Sequence, residues 1–293
     1  MVTTVTDDVR WHLLQKKRRE IEAAEVFALF RSHGIQPIMI KGWASARFYP
    51  PDSPRHMGDL DIAVPAGSHE ISKAILESKE LHYSIDLHRE FRLYDKLRWD
   101  DLYANSEEIT VSGGSFRVLR PEDHLRVICV HWLNDGGARK EKLLDIVYAV
   151  QNRPANFDWD RCLGVVSAVR RRWIVCAIGL AHKYYGLDLD DLPFADEALD
   201  IPEWVSKCVE KEWSHGELLD TPVSTQIHDP KRLIIEIRKR IPPNPIRATI
   251  EMEGDLYGGS RHLYQAMILA WRSVDFLKKL PGTLVGRPYH YDK

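Results

Sequence analysis

The segment Gly58-Asp59-Leu60-Asp61-Ile62-Ala63-Val64 constrains this chain more than any other, because it sets two carboxylates two residues apart at the mouth of a short apolar strand. Side chains alternate along a strand, so Asp59 and Asp61 share one face while Leu60, Ile62 and Val64 share the other. Adjacent carboxylates repel and cost desolvation, and a fold tolerates them readily only where a cation stands between them. The strand therefore reads as half of a divalent-metal site, although paired acids at a strand start also serve as turn or cap residues. A calcium loop beginning at Asp59 is excluded, since Ala63 and Val64 remove a ligand and the glycine such a loop requires.

A second candidate strand, His82 to His88, places Tyr83, Ile85 and Leu87 on one face and Ser84, Asp86 and His88 on the other. Between the two strands, Gly67 to Leu76 has apolar residues at helical spacing, with Ser68 as N-cap. Asp59 and Asp61 stand early in their strand and Asp86 late in its own, so the acids converge if the strands are antiparallel or offset; the antiparallel pair, and hence a mixed sheet, is favoured. Upstream, the apolar run Ile35 to Ile40 ends at Lys41-Gly42 and enters the helix-like segment Trp43 to Tyr49. Glycine there admits an anion to the backbone, a helix N-terminus offers free N–H groups, and Lys41 adds a full charge, a combination suited to a triphosphate. Arg55, four residues before Asp59, brings a fork of donors to the same anion. His88 and His131 read as hydrogen-bonded structural histidines close to the site.

These residues resemble the nucleotidyltransferases of the polymerase-beta type, and most closely a bacterial group of uncharacterised nucleotidyltransferases. The resemblance rests on Ile40-Lys41-Gly42, on Arg55 to Val64, on Ile85-Asp86-Leu87-His88, and on Leu119 to Leu125, continuing through His131 to Lys142-Leu143-Leu144-Asp145-Ile146. It implies that Asp59, Asp61 and Asp86 bind two Mg²⁺ ions, with Mn²⁺ as an alternative, and that a nucleoside triphosphate (NTP) such as ATP is the donor substrate. It also turns Lys142 toward the triphosphate, where the residues alone read Lys142 and Asp145 as an exposed pair on a helix. The usual Gly-Ser or Gly-Gly after the first strand appears here as Gly42-Trp43. Two metal ions about 3.5–4 Å apart align an attacking hydroxyl, the α-phosphate and the departing pyrophosphate. In this reading Asp59, Asp61 and Asp86 are both metal ligands and catalytic residues, and Lys41, Gly42, Arg55 and Lys142 hold the nucleotide. Two alternatives stay open: a two-metal phosphotransferase, and a nucleotide-binding regulator without turnover.

Composition narrows the acceptor. The chain has 293 residues with 41 basic and 43 acidic side chains, a net charge of −2. Its basic clusters, Lys16 to Arg19, Arg170 to Arg172 and Lys231 to Arg240, are scattered, whereas a nucleic acid needs a continuous positive track. A small-molecule, peptide or protein acceptor is expected, and nucleic acid is disfavoured. The four cysteines have no metal-ligand spacing, no apolar run is long enough for a membrane, and the N-terminus has no signal-peptide pattern, so a cytoplasmic setting is expected. The pattern specifies neither the preferred base nor an oligomeric state.

The expected organisation is α/β: a helix over 8–33 and a mixed-sheet catalytic domain over 1–120, followed by a helical domain over 121–293 that completes the cleft. Strands are expected near 36–41, 60–64, 83–88, 107–111 and 115–119, the last two joined by a turn at Ser112-Gly113-Gly114. Helices are expected from Pro121 to Gly136, over 138–151, 158–185, 202–214 and 229–240, and near 260–279 after a break at Pro242-Pro243-Asn244-Pro245. The tail from Gly286 is expected to be loosely ordered.

Overall fold

The structure, a computed structural model, describes residues 7–79, 84–91, 93–214, 240–259 and 261–284. They divide into two compact units, the described residues among 1–129, 144–166 and 185–188 in one and those among 130–143, 167–184 and 189–293 in the other. The expected helix over 229–240, except for residue 240, and the tail from Gly286 lie outside the described residues.

The first unit opens with α1 (Asp7–Ser32), which stops where Gly34 takes a left-handed φ of 72° and the Ile35 N–H closes onto the Phe30 carbonyl. There follow β1 (Ile38–Met39), the short helix α2 (Trp43–Ala46), β2 (Leu60–Val64), α3 (His69–Ser78), β3 (Ile85–Arg89), α4 (Trp99–Ala104), β4 (Glu107–Val111) and β5 (Gly114–Val118). The helices α5 (Pro121–Asn134) and α6 (Leu143–Gln151) come next. The five strands form one mixed sheet in the order β3-β2-β1-β5-β4. β1 runs antiparallel to β2 and parallel to β5, and β4 and β5 form the antiparallel hairpin expected around Gly113.

One expectation is corrected. β2 and β3 are parallel, not antiparallel, with Leu60 opposite Ile85, Asp61 opposite Asp86 and Ala63 opposite His88. The chain between them carries α3, and a helical crossover returns the second strand in the direction of the first. The sheet remains mixed because β1 opposes β2.

Alternation assigns the two faces. Met39, Leu60, Ile62, Val64, Phe116 and Val118 point into a core with Ala23, Val26, Phe27 and Phe30 of α1, and Ile85 and Leu87 pack against its margin. Ile38, Ile40 and Ala63 point the other way, toward Trp99 and Leu102 of α4 and Val127 of α5. Only the C-terminal half of α1 is buried; Trp11 and Leu14, nearer its start, are exposed. A 26-residue helix is about 39 Å long, whereas a five-residue strand spans about 17 Å, so the first turns extend past the sheet. Further along the helix Lys17, Arg18 and Arg19 pair with Glu20 and Glu22.

The second unit is helical: α7 (Ala168–Tyr185), α8 (Ala195–Leu199), α9 (Glu203–Ser214), α10 (Pro245–Glu251) and α11 (Arg261–Leu284). α7 is buried from Trp173 to Ala181, and a Cβ on Gly179 would lie 2.0 Å from the Ala198 carbonyl oxygen, so α8 crosses it at backbone contact. No helix among the described residues is long and apolar enough to cross a membrane.

His124 ties α5 to α2. Fully buried, it stacks on Phe48 and places Nε2 3.3 Å from the Ser45 hydroxyl. Burial first, and then the charges of Arg47 and Arg55, push its pKa well below the usual histidine value. A base depressed in the folded state binds fewer protons than in the unfolded chain, so its contribution to stability is intact above about pH 6.5 and fades below, by up to about 1.4 kcal/mol per pH unit. Replacing it with Gln should remove that slope. Urea unfolding of wild type and H124Q between pH 5 and 7.5 should give a stability difference that shifts toward the variant as pH falls; a constant difference would contradict this.

Candidate functional site

Parity and register build the site. Asp61 and Ala63 are two apart on β2, Asp86 and His88 two apart on β3, and the parallel pairing puts all four on the face away from α1. Asp61 and Asp86 sit directly across from each other, with strands about 4.8 Å apart. Ala63 stands opposite His88, and its small side chain leaves the imidazole room to reach back toward Asp61. The His88 Nε2 lies 3.2 Å from an Asp86 oxygen and 3.6 Å from an Asp61 oxygen. Asp61, Asp86 and His88 offer ligand atoms all within 4.8 Å of one another, the only such cluster of three or more among the described residues.

Lys41 completes the charge balance, with Nζ 2.9 Å from an Asp61 oxygen and the ring of Tyr94 beneath it at 5.7 Å. Burial would raise the Asp61 pKa, but the His88 ring and the Lys41 ammonium outweigh it and hold the carboxylate below its usual range. Asp86, more exposed, is held down chiefly by His88, against a smaller opposing effect of burial. Burial would lower the His88 pKa, yet the two carboxylates carry it above the ordinary value.

Gly42 makes the tight turn between β1 and α2. Its φ of 56° and ψ of −108° suit glycine alone, and the Ala44 N–H closes the turn on the Lys41 carbonyl. A Cβ at position 42 would stand 3.1 Å from Asp61 Oδ2 and 3.4 Å from the Asp59 carbonyl oxygen. The glycine thus brings backbone against the Asp61 carboxylate.

The other residues singled out from the sequence are placed as follows. Asp59 is exposed, just before β2, outside the close cluster. Arg55 gives Nε and Nη2 to Asp145 at 2.6 and 2.9 Å and Nη1 to the His56 carbonyl; Tyr49 donates to the same Asp145 oxygen at 2.6 Å. Lys142, in the second unit, is paired with Asp135 at 3.0 Å, and His131 lies 3.6 Å from Asp135. The sequence thus missed the Arg55–Asp145 pair, whose members are 90 positions apart. It also missed Tyr94, which meets His88 edge to face at 6.2 Å. The segment bearing Tyr94 is fixed by Asp95, whose carboxylate accepts from the fully buried Arg126 at 2.8 Å; Arg126 also binds Asp123 and the Arg161 carbonyl. His88 was within reach of the sequence, since it shares the parity of Asp86.

The family described as uncharacterised nucleotidyltransferase matches residues 7–82 and 79–186, more than half of the chain and every strand of the sheet. The chain belongs to this family. No curated protein and no solved structure matches it significantly. As a member, this nucleotidyltransferase-family protein has an NTP as its implied substrate, and the site on β2 and β3 has acidic ligands suited to a divalent cation.

The turn at Gly42 yields a direct test. An alanine there should cost about 1–3 kcal/mol in strained backbone and press on Asp61, lowering both stability and nucleotide binding. Gly67→Ala, at a position with open space and no left-handed φ, should change neither by more than about 0.5 kcal/mol. Equal stability of G42A and wild type in thermal unfolding would refute the close approach.

Proposed function

We propose that this protein transfers a nucleoside monophosphate from an NTP to a hydroxyl on a small molecule, peptide or protein, releasing pyrophosphate. The observation that carries the reading is the pair Asp61 and Asp86, set side by side by the parallel register in a chain of nucleotidyltransferase lineage. The residues suit a divalent cation: two carboxylates and a buried ring nitrogen converge, and Gly42 sets no side chain against Asp61. Asp61 and Asp86 would hold Mg²⁺ or Mn²⁺, with Asp59 as the third carboxylate when two ions are held. Bound there, the cation would neutralise charge developing on the α-phosphate and align the incoming oxygen.

The chain's own groups do the rest. The Gly42 turn and Lys41 lie beside the same carboxylate, so the triphosphate would lie along that turn, against the Lys41 charge. Asp86, the more exposed acid, would face the acceptor and take its proton as the oxygen–phosphorus bond forms and the bond to pyrophosphate breaks. Arg55 and Lys142 belong to the proposed nucleotide grip only if they exchange Asp145 and Asp135 for phosphate. Separated basic clusters and a net charge of −2 support an acceptor other than nucleic acid.

Labelled NTP tests the reaction class. Label on the α-phosphate should appear on acceptor with one pyrophosphate released per transfer, while label on the γ-phosphate should not. A nucleoside diphosphate product would show a phosphotransferase instead. Asp61→Asn and Asp86→Asn should each lower transfer by at least about 10²–10³-fold while leaving the thermal transition in place; full activity in either would sink the assignment of these acids. Lys41→Ala should weaken binding of an NTP far more than of the bare nucleoside, by roughly tenfold or more. Equal losses for both ligands, measured by calorimetry, would make Lys41 a purely structural counter-charge.

A further inference from the structure

We propose that His88 Nε2 is a direct ligand of the cation held by Asp61 and Asp86, making a mixed nitrogen–oxygen site that takes Mn²⁺ in preference to Mg²⁺. The inference rests on the reading of Asp61 and Asp86 as the cation site and assigns the third ligand and the class of ion.

Three observations carry it. The ring is 3 % exposed, and Nε2 has no hydrogen-bond partner. A buried polar atom without a well-formed partner is costly, on the order of 1–3 kcal/mol, and this nitrogen faces two carboxylates at 3.2 and 3.6 Å with a hydrogen bond of good geometry to neither, which leaves a place for a shared occupant. The spacing then fits one. Ligands at adjacent corners of an octahedron with bonds near 2.1 Å stand about 3 Å apart, and at tetrahedral corners about 3.4 Å apart; the nitrogen lies 3.2 and 3.6 Å from the two acids. Finally, the ring is aimed by the backbone. His88 shares the parity of Asp86, Ala63 opposite it leaves space, and Tyr94 closes its flank edge to face.

The donor set selects the ion. Mg²⁺ demands oxygen ligands and sheds its waters reluctantly, whereas imidazole suits first-row divalent ions and carboxylates suit Mn²⁺ among them. An all-carboxylate site has no such preference built in. Asp59, exposed at the rim, does not substitute for the nitrogen.

The test uses full-length protein stripped of metal and given Mn²⁺ alone. Electron paramagnetic resonance should report bound ion, and spin-echo modulation should show coupling to a directly ligated ¹⁴N nucleus. His88→Gln should abolish that modulation and weaken Mn²⁺ at least about tenfold, with a smaller change for Mg²⁺ measured by competition. Histidine-specific ¹⁵N labelling of the wild-type protein gives the same reading with no substitution, so a misfolded variant does not decide the matter. Bound Mn²⁺ without histidine coupling overturns the ligation and leaves Asp61 and Asp86 as the site. Mn²⁺ that binds wild type no better than Asp61→Asn overturns the cation site itself, and this inference with it.

Discussion

Two carboxylates placed side by side in neighbouring parallel strands are the arrangement around which the polar face of β2 and β3 is built. Asp61 and Asp86 would repel each other if left alone, and the fold answers with a positive charge and a buried imidazole: Lys41 from the end of β1, and His88 from two residues further along β3. Each comes from an adjacent strand, so the sheet order β3-β2-β1 is itself what assembles the charge balance. In that arrangement Lys41 holds a place beside Asp61 that a bound phosphate would compete for, while the His88 nitrogen faces both acids. The same groups that balance the pair would then become the grip on cation and nucleotide.

Rigid support surrounds this centre. The second face of the sheet rests on α4 and α5, and the buried Arg126 on α5 binds both Asp123 and Asp95, fixing the segment that lays Tyr94 against Lys41 and His88. A buried guanidinium with two carboxylate partners is costly to break, on the order of 3–5 kcal/mol when one partner is removed. The Arg55–Asp145 pair does similar work for the chain entering β2, tying it to α6. Both networks therefore position the groups that touch the site.

Much of this was legible in the sequence because the signals were local. Alternation around Asp61 gave the two faces of β2, the Lys41-Gly42 break marked a turn, and Pro121 followed by two acids marked the start of α5. Strand direction was not legible, for an identifiable reason. Counting from residue 83 makes Asp86 late in its strand, whereas β3 begins at Ile85 and Asp86 is its second residue, as Asp61 is the second of β2. A shift of two residues in one boundary reverses the argument from acid position. The crossover helix between the strands was the stronger clue. Arg55 and Lys142 show a different limit: a charge can be read from sequence, but its partner 90 residues away, or seven in the case of Asp135, depends on tertiary packing. The helices α4 and α10 escaped because six and seven residues carry too little periodicity to stand out.

The most direct measurement is an anomalous difference map from crystals grown with Mn²⁺ and a non-hydrolysable NTP analogue. The account predicts a peak within about 2.3 Å of carboxylate oxygens of both Asp61 and Asp86, with the triphosphate lying along Lys41 and the Gly42 turn. A metal and nucleotide bound elsewhere, with the Lys41–Asp61 pair still closed, would contradict it.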